Sequence, residues 1–150
     1  MGLTPLIKLR AFSETDRSKC IDIAKSNIPY YFSKEDFIEF NSWIDNHNCK
    51  NLYVLMIENK VIGIGGFYFQ NNQARLIYGL IHNNYHKQKY GSLLIEHRIK
   101  KIKEINSSIE ISLEITEKTY KFFEKFGFKT ASITPKFYYG VFDKYEMILN

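Results

Sequence analysis

The stretch Asn83-Asn-Tyr-His-Lys-Gln-Lys-Tyr-Gly-Ser-Leu-Leu-Ile95 decides how the rest of this chain is interpreted. An apolar run at residues 76–81 comes before it. The segment after it has apolar residues at helical spacing, namely Leu94, Ile95, Ile99, Ile102 and Ile105. The pattern therefore predicts a strand, a basic loop and a helix that begins near Gly91 and ends near Glu104.

The basic loop carries His86, Lys87 and Lys89 directly before the predicted helix. The first N–H groups of a helix lack intrahelical partners, and the aligned peptide dipoles place partial positive charge at that end. A phosphate group would meet backbone donors, this dipole and ammonium groups together. A solvated basic turn before a surface helix explains the same residues equally well on this stretch alone.

Length and composition set the class of protein. The chain has 150 residues with no internal repeat or linker, which predicts one domain over residues 1–150. No apolar run approaches the ~20 residues of a membrane span, and the first ten residues lack the apolar centre of a signal peptide. We therefore expect a cytoplasmic protein without a membrane partner. The net charge of +5 suits nucleic acid, a phosphorylated cofactor or an acidic substrate, and does not choose among them.

The two cysteines do not form a recognisable motif. Cys20 and Cys49 stand apart without a CxxC pair, so they are interpreted as reduced thiols. His47 lies near Cys49 in sequence, but two residues do not make a metal shell. No metal is predicted.

The first half of the chain predicts two helices followed by a β-meander. Residues 6–10 alternate as a half-buried strand, and Ser13 and Ser33 cap helices, the second of which reaches about Asn46. Three antiparallel strands then follow at residues 52–57, 61–69 and 73–81. Gly63, Gly65 and Gly66 lie inside the second of these without GxGxxG spacing, which favours a bend or close packing over a nucleotide loop. Gly79 predicts a bulge that splays the third strand from its later neighbour.

The second half predicts a parallel strand and a closing hairpin. Residues 109–115 alternate strictly, and a strand that follows a crossover helix lies parallel to the one before it. Thr116 is expected to cap a helix with Tyr120, Phe123 and Phe126 on its apolar face, closed by Gly127. The final strand pair is placed at residue 128 onward and at 142–149, joined by a loop at 135–140. The fold class is α+β, a mixed sheet in the order βααβββαβαββ.

This order and two motifs resemble the GNAT N-acetyltransferase superfamily over nearly the whole chain. The family's cofactor motif reads Q/R-x-x-G-x-G/A. When this motif is aligned with the basic loop, His86 stands at the Q/R position, Lys89 at the first glycine and Gly91 at the second. Of these three positions, only Gly91 has the residue that the motif names. The later Phe122-Phe-Glu-Lys-Phe-Gly-Phe128 resembles the more specific F-Y-E-K-x-G-F.

The resemblance implies acetyl-coenzyme A as co-substrate and direct acetyl transfer to an amine of a small molecule or peptide. It also implies a binding residue set. The pantetheine arm would meet the backbone of Leu80 and Ile81 in the splay between the two central strands. The diphosphate would meet the loop, which contains His86, Lys87, Gln88, Lys89, Tyr90, Gly91 and Ser92. The thiol end would meet Thr116, Phe122 and Phe123.

Two departures from the family concern proton transfer. Many members have a tyrosine where Phe123 stands, and a carboxylate on the strand where this chain has Arg75. Glu114 is the candidate replacement base and Tyr139 the candidate acid. A solvated carboxylate and a packed lid residue are the simpler alternatives. Tyr78 and residues 30–32 are acceptor-pocket candidates because the family builds its acceptor groove from those regions.

Two other functions compete with catalysis. A catalytically inactive acetyl-coenzyme A sensor or interaction module would explain the missing tyrosine and carboxylate. Nucleic-acid binding ranks last, because Lys100, Lys101 and Lys103 are explained as the polar side of a helix. The acceptor and the oligomeric state, including a homodimer, are left open by the sequence.

Overall fold

The structure is a computed structural model that describes residues 5–46 and 49–149. The prediction that His47 and Cys49 do not form a metal site therefore concerns a histidine outside the described residues. The elements follow the predicted order, which is confirmed. They are β1 Ile7–Ala11, α1 Arg17–Ser26, α2 Lys34–Asn46, β2 Leu52–Ile57, β3 Lys60–Gln70, β4 Gln73–Ile81, α3 Tyr90–Ile105, β5 Glu110–Thr116, α4 Tyr120–Glu124, β6 Lys129–Tyr138 and β7 Phe142–Leu149. Short 3₁₀ turns occupy Glu14–Asp16 and Asn83–Tyr85.

The strands form a seven-stranded mixed sheet in the order β1-β2-β3-β4-β5-β7-β6. β1 pairs with β2, β2 with β3, β5 with β7 and β6 with β7, all antiparallel. β4 and β5 run parallel, as the crossover helix α3 requires. Their register pairs Gln73 with Glu110, Ala74 with Ile111 and Arg75 with Ser112. The predicted mixed α/β fold is therefore confirmed.

Backbone contacts divide the chain into two compact units. The first unit contains the chain up to Phe67 together with Tyr78–Lys100, and the second contains Tyr68–Ile77 with the chain from Lys101 onward. Each unit is described by itself below. The single domain over residues 1–150 stays a prediction.

The core of the first unit lies between its two helices and the strands β2 and β3. Ile23 of α1 and Phe40 and Ile44 of α2 are buried against Leu52, Val54 and Ile64, with Cys20, Ala24 and Phe32 completing the cluster. Phe37 and Trp43 are partly buried against this cluster, so the α2 aromatics belong to the core. Burial of such side chains contributes roughly 1.5–3 kcal/mol each.

The capping serine predicted before α2 is confirmed. The Asp36 N–H donates to Ser33 Oγ at 2.9 Å, and the Ser33 N–H donates to Asp36 Oδ2 at 3.2 Å. This reciprocal pair satisfies two N–H groups that the helix itself leaves without partners. The Ser13 N–H similarly donates to Asp16 Oδ2 at 2.9 Å, but the turn that follows Ser13 is 3₁₀ and α1 begins only at Arg17.

The helix of the second unit is shorter than predicted. Thr116 is the last residue of β5 and its Oγ1 accepts from the Lys118 N–H at 3.2 Å, so the predicted cap at Thr116 is wrong. α4 has five residues after Thr119, and Phe126 lies beyond its end. The predicted closure by glycine is confirmed, since Gly127 has φ +94° and its N–H donates to the Glu124 carbonyl at 3.1 Å.

The predicted loop at residues 135–140 is mostly strand. β6 continues through Pro135 to Tyr138, with a register irregularity between Thr134 and Tyr138. β6 is the last strand in the sheet order, and an edge strand tolerates a proline because its N–H is not needed on the open side. The connection between β6 and β7 is therefore a tight turn around Tyr139 and Gly140.

Candidate cofactor site

The basic loop of the first unit has an unusual backbone. Lys87 has φ +63° and Lys89 has φ +69°, both in the left-handed region that favours glycine. The Leu93 N–H donates to the Lys89 carbonyl at 3.4 Å, so Lys89 lies at the entry of α3. A lysine in this conformation costs about 1 kcal/mol or more relative to glycine. The loop thus holds a strained backbone next to a helix N-terminus.

The loop presents its positive charges to solvent. Lys87, Gln88 and Lys89 are exposed, whereas Tyr90, Gly91 and Ser92 of the first turn of α3 are half-buried. α3 runs for 16 residues, long enough for a full helix dipole. Two ammonium groups and the first N–H groups of a long helix therefore belong to one short segment.

The His86 side chain contacts the protein through one ring nitrogen and one ring edge, and its predicted role at the diphosphate stays a prediction. Its Nε2 lies 2.8 Å from the Ile81 carbonyl oxygen, and its ring packs edge-on against Tyr31 at 4.9 Å between centroids. The imidazole thus contacts the protein, and it fixes the loop to the end of β4. Within the loop, exposed cationic charge comes from the two lysines.

The Ile81 carbonyl has a second partner that sequence reasoning missed. Asn27 Nδ2 donates to this oxygen at 3.0 Å and to the Ile23 carbonyl at 2.8 Å, and Asn27 is 3% exposed. The two donors, Asn27 and His86, use both lone pairs of the Ile81 oxygen. The signal available in the sequence was a polar residue where α1 ends before Ile-Pro.

The bulge predicted at Gly79 stays a prediction. The backbone directly before it is unusual, because Tyr78 has φ +51°, whereas Gly79 is not among the residues with positive φ. A bulky residue with positive φ is strained and persists only where its surroundings hold it. The Tyr78 ring packs against Phe40 at 5.0 Å and Trp43 at 5.3 Å between centroids, both from α2. Tyr78 is therefore held by the core of the first unit.

Gly79 and the β3 glycines serve close packing, as predicted for β3. A Cβ added to Gly79 would lie 2.6 Å from Arg98 Nη2, and one added to Gly65 would lie 2.9 Å from Arg98 Nε. A Cβ on Gly63 would meet Ile81 Cδ1 at 2.8 Å. The glycines make room for neighbouring side chains, which excludes a nucleotide loop at this point of β3.

Arg98 is a buried residue that sequence reasoning missed. It lies on the same face of α3 as Leu94, Ile95 and Ile102, all of which are buried, whereas Ile105 is 59% exposed and does not belong to the predicted stripe. A signal was present, because an arginine four residues after Leu94 and four before Ile102 occupies a core position of the helix.

In the second unit, the candidate base Glu114 is engaged by Arg75. Arg75 Nη2 donates to Glu114 Oε1 at 2.7 Å, and Arg75 Nη1 donates to Gln73 Oε1 at 3.2 Å. If Glu114 accepted a proton as a base, it would lose this charge-assisted hydrogen bond with Arg75. Arg75 thus binds the acid that was proposed to replace the missing strand carboxylate.

The aromatic residues of the second unit form one cluster around α4. Phe122 and Phe123 pack edge-on at 5.0 Å between centroids, and Phe123 packs on Phe128 at 6.0 Å. Tyr139 is 49% exposed and has φ +56° in the turn before β7. The sequence-based roles of these side chains and of Thr116 stay predictions.

Metal-binding clusters, membrane-spanning helices and the two cysteines are the remaining features that bear on function. Across residues 5–46 and 49–149, no cluster of three or more His, Cys, Asp or Glu side chains could hold a metal ion. None of the helices in these ranges combines the length and apolar character that a membrane span needs. Neither Cys20 nor Cys49 forms a disulfide among the described residues, and burial raises the pKa of the Cys20 thiol to about 12.

A comparison with models of protein families identifies the family of this chain. The model of the acetyltransferase (GNAT) family matches residues 17–128, about three quarters of the chain. The chain belongs to the GNAT acetyltransferase family. The comparison with curated protein sequences finds no match.

Solved GNAT structures share the fold over nearly the whole chain. The ribosomal-protein-S18-alanine N-acetyltransferase from Escherichia coli is 19% identical, with a TM-score of 0.78 over 96% of this chain and 93% of that one. Spermidine N-acetyltransferase SpeG from Vibrio cholerae is 18% identical, with a TM-score of 0.74 over 95% and 92%. PaiA N-acetyltransferase from Thermoplasma acidophilum, in complex with coenzyme A, is 17% identical, with a TM-score of 0.72 over 94% and 98%.

The GNAT cofactor motif can now be compared with the loop geometry. Lys89 stands at the first glycine of the motif and has φ +69°, the conformation for which glycine is favoured. Lys89 therefore has a backbone conformation that glycine adopts more readily than lysine. The roles of Lys89 and Gly91 at a cofactor stay predictions.

Proposed function

We propose that this GNAT protein transfers an acetyl group from acetyl-coenzyme A directly to an amine of a small molecule or peptide. The observation that carries the proposal is the left-handed backbone of Lys87 and Lys89 at the N-terminus of α3, at the family's cofactor motif. Coenzyme A is bound in the PaiA structure, and the names of the relatives describe acetylation of a protein alanine and of spermidine. Both support an amine acceptor here.

The proposed diphosphate site is the loop from His86 to Ser92. The first N–H groups of α3 supply directional donors, and Lys87 and Lys89 supply exposed positive charge. His86 contributes by holding the loop on the Ile81 carbonyl, at 2.8 Å. Gln88 and Tyr90 complete the segment through their backbone.

The proposed acyl site uses the end of β4. Because Asn27 and His86 already occupy the Ile81 carbonyl oxygen, we assign the pantetheine arm to Leu80 and to the remaining backbone groups near it. A backbone N–H of the Tyr78–Gly79 segment would polarise the thioester carbonyl. The amine nitrogen attacks this carbon, its proton passes to water, and the C–S electron pair leaves on sulfur. Holding the two reactants together supplies much of the rate.

Proton transfer by a side chain is not required by this proposal. A thiol with an ordinary pKa near 8.5 leaves tolerably as thiolate. Glu114 and Tyr139 stay candidate base and acid, and the Arg75 ion pair at 2.7 Å makes a structural role the simpler one for Glu114. The same ion pair, with Phe123 in place of tyrosine, favours the second candidate function, an inactive acetyl-coenzyme A-binding module.

Isothermal titration with acetyl-coenzyme A tests the cofactor site. Gly91→Glu places bulk and negative charge at the proposed diphosphate position and is expected to abolish binding. Ser107→Glu adds the same charge at an exposed position beyond α3 and is expected to leave affinity unchanged. Equal affinities of wild type and Gly91→Glu would reject this placement.

Turnover on a panel of amines separates the two candidate functions. Acetylation of a polyamine, an aminoglycoside or a peptide amine by wild type, lost in Gly91→Glu, supports the transferase. Binding that Gly91→Glu abolishes, with no transfer to any amine, supports the binding module.

A further inference from the structure

Arg98 carries a buried positive charge that pairs with no carboxylate among the described residues. It is 3% exposed, its Nε donates to the Leu94 carbonyl at 3.4 Å, and its Nη1 donates to the Gly66 carbonyl at 3.4 Å. None of the ion pairs found across residues 5–46 and 49–149 includes Arg98. Burial alone lowers its pKa to about 10, so it stays protonated at neutral pH. Arginine is almost never buried unless paired, so this position needs an explanation.

The guanidinium lies directly against the β4 backbone at Gly79, next to the left-handed Tyr78. The Cβ that Gly79 lacks would be 2.6 Å from Nη2, and the one that Gly65 lacks would be 2.9 Å from Nε. Only a residue without a side chain leaves this space. Tyr78 has φ +51° and is held by Phe40 and Trp43. The guanidinium and the Tyr78 backbone are therefore fixed by separate sets of packing contacts in the same unit.

The acyl transfer described above generates negative charge. When the amine nitrogen forms its bond to the carbonyl carbon, the C=O π electrons move to oxygen. When the C–S bond breaks, its electron pair moves to sulfur. A fixed cation in a water-poor environment stabilises such charge more strongly than it would in water.

We propose that Arg98 is a positioning residue of the acyl transfer, whose buried charge acts through the Tyr78–Gly79 backbone to stabilise the negative charge that develops on the thioester and then on the thiolate. This inference rests on the proposed function, because it needs the thioester to lie at this part of β4. It assigns Arg98 no direct contact with the substrate.

Two variants and one matched control separate charge from packing. Arg98→Met keeps most of the volume and removes the charge, and Arg98→Lys keeps a charge on a slimmer side chain. Lys100→Met removes a charge from an exposed position two residues later on α3. Thermal unfolding shows whether each variant is folded. Coenzyme A affinity is expected to be similar in all of them, because the diphosphate loop is unchanged.

Two measurements report the effect of the Arg98 charge on the reaction. The pKa of the thiol of bound coenzyme A, followed by thiolate ultraviolet absorbance, is expected to rise by about one unit in Arg98→Met, a tenfold loss of thiolate. kcat is expected to fall about 10- to 100-fold in Arg98→Met, with KM for acetyl-coenzyme A little changed. Lys100→Met is expected to match wild type in both.

The lysine variant adds a pH profile. A buried lysine loses its proton more readily than arginine, because desolvation lowers its pKa. The nearest atoms facing position 98 come from Gly65 and Gly66 of β3, Gly79 of β4 and Leu94 of α3, and no ionisable side chain shifts the Arg98 pKa. The ratio of Arg98→Lys to wild-type kcat is therefore expected to fall as pH rises, while the ratio for Arg98→Met stays flat.

The outcomes distinguish the two proposals. If the thiol pKa and kcat are unchanged in a folded Arg98→Met, Arg98 only fills space in the core. This result would overturn the inference about Arg98 and leave the proposed function standing. Binding of coenzyme A without transfer to any amine would overturn the proposed function, and the thiol pKa would still decide on Arg98. Absence of coenzyme A binding by wild type would overturn both.

Discussion

Replacing Asp16 by Asn tests how the first unit fixes the start of α1. Asp16 is 4% exposed and accepts from Arg10 Nη1 at 2.7 Å, Arg10 Nη2 at 2.9 Å and the Ser13 N–H at 2.9 Å. These bonds, the Arg10 bond first, hold the pKa of the carboxyl below its usual range. Asparagine keeps one acceptor oxygen and the shape but loses the charge.

The magnitude follows from the exposure of the two partners. A hydrogen bond to a charged group contributes about 1.5–3 kcal/mol. The Arg10 side chain is 31% exposed, so solvent screening weakens its share. We expect Asp16→Asn to lower the free energy of unfolding by about 2 kcal/mol at pH 7. For a chain of this size that corresponds to a Tm lower by roughly 4–8 °C.

The pH dependence has a definite sign. A depressed pKa means that the folded state favours the ionised carboxyl, so the stabilisation is present above the unfolded pKa near 4 and is lost as pH falls further. The difference between wild type and Asp16→Asn should therefore be constant from pH 7 to about 5 and shrink below about 4. Urea unfolding followed by circular dichroism at several pH values measures this difference.

A control and a refutation complete the test. Glu14→Gln removes an exposed carboxylate that pairs with Arg17 at 2.8 Å, and should cost much less than Asp16→Asn because solvent screens an exposed pair. If Asp16→Asn costs no more than Glu14→Gln, or if its cost is the same at pH 7 and at about pH 2.5, the charged pair does not stabilise the fold as argued.

Two further predictions concern the loop and the turn before β7. Lys89→Gly should stabilise the fold by about 1 kcal/mol, because it relieves the left-handed backbone at φ +69°, yet weaken acetyl-coenzyme A binding through the lost charge; denaturant unfolding and titration measure the two, and a loss of stability would contradict the strain argument. Tyr139→Phe should lower kcat more than cofactor affinity, and unaltered steady-state kinetics would remove Tyr139 from the acid role.

The order of elements was predictable because each signal is local. Alternation identified β5, helical spacing identified α2 and α3, and the serine before α2 identified its start. Such patterns depend on which neighbours a residue has within a few positions. The lengths of α4 and β6 were not predictable in the same way. Thr116 has the chemistry of a cap but its hydroxyl accepts in a turn, and Pro135 resembles a loop residue although β6 tolerates it at the sheet edge.

The features that matter most around β4 depend on distant contacts. Nothing local says that Asn27 reaches the Ile81 carbonyl, 54 positions away, or that His86 uses the same oxygen. The sequence assigned His86 to the anion because of its residue type, and the contact between its imidazole and the Ile81 carbonyl could not be predicted in this way.

Lys89 and Gly79 show two different physical reasons for a glycine. Lys89 stands at the first glycine of the family motif and has φ +69°, a conformation that glycine adopts without the strain that lysine bears. At Gly79 the requirement is instead space for the Arg98 guanidinium, and φ is not the reason. A motif compared by residue type alone does not separate these two reasons, so the role of the loop at a cofactor stays a prediction. No side chain fits at Gly79 without moving Arg98.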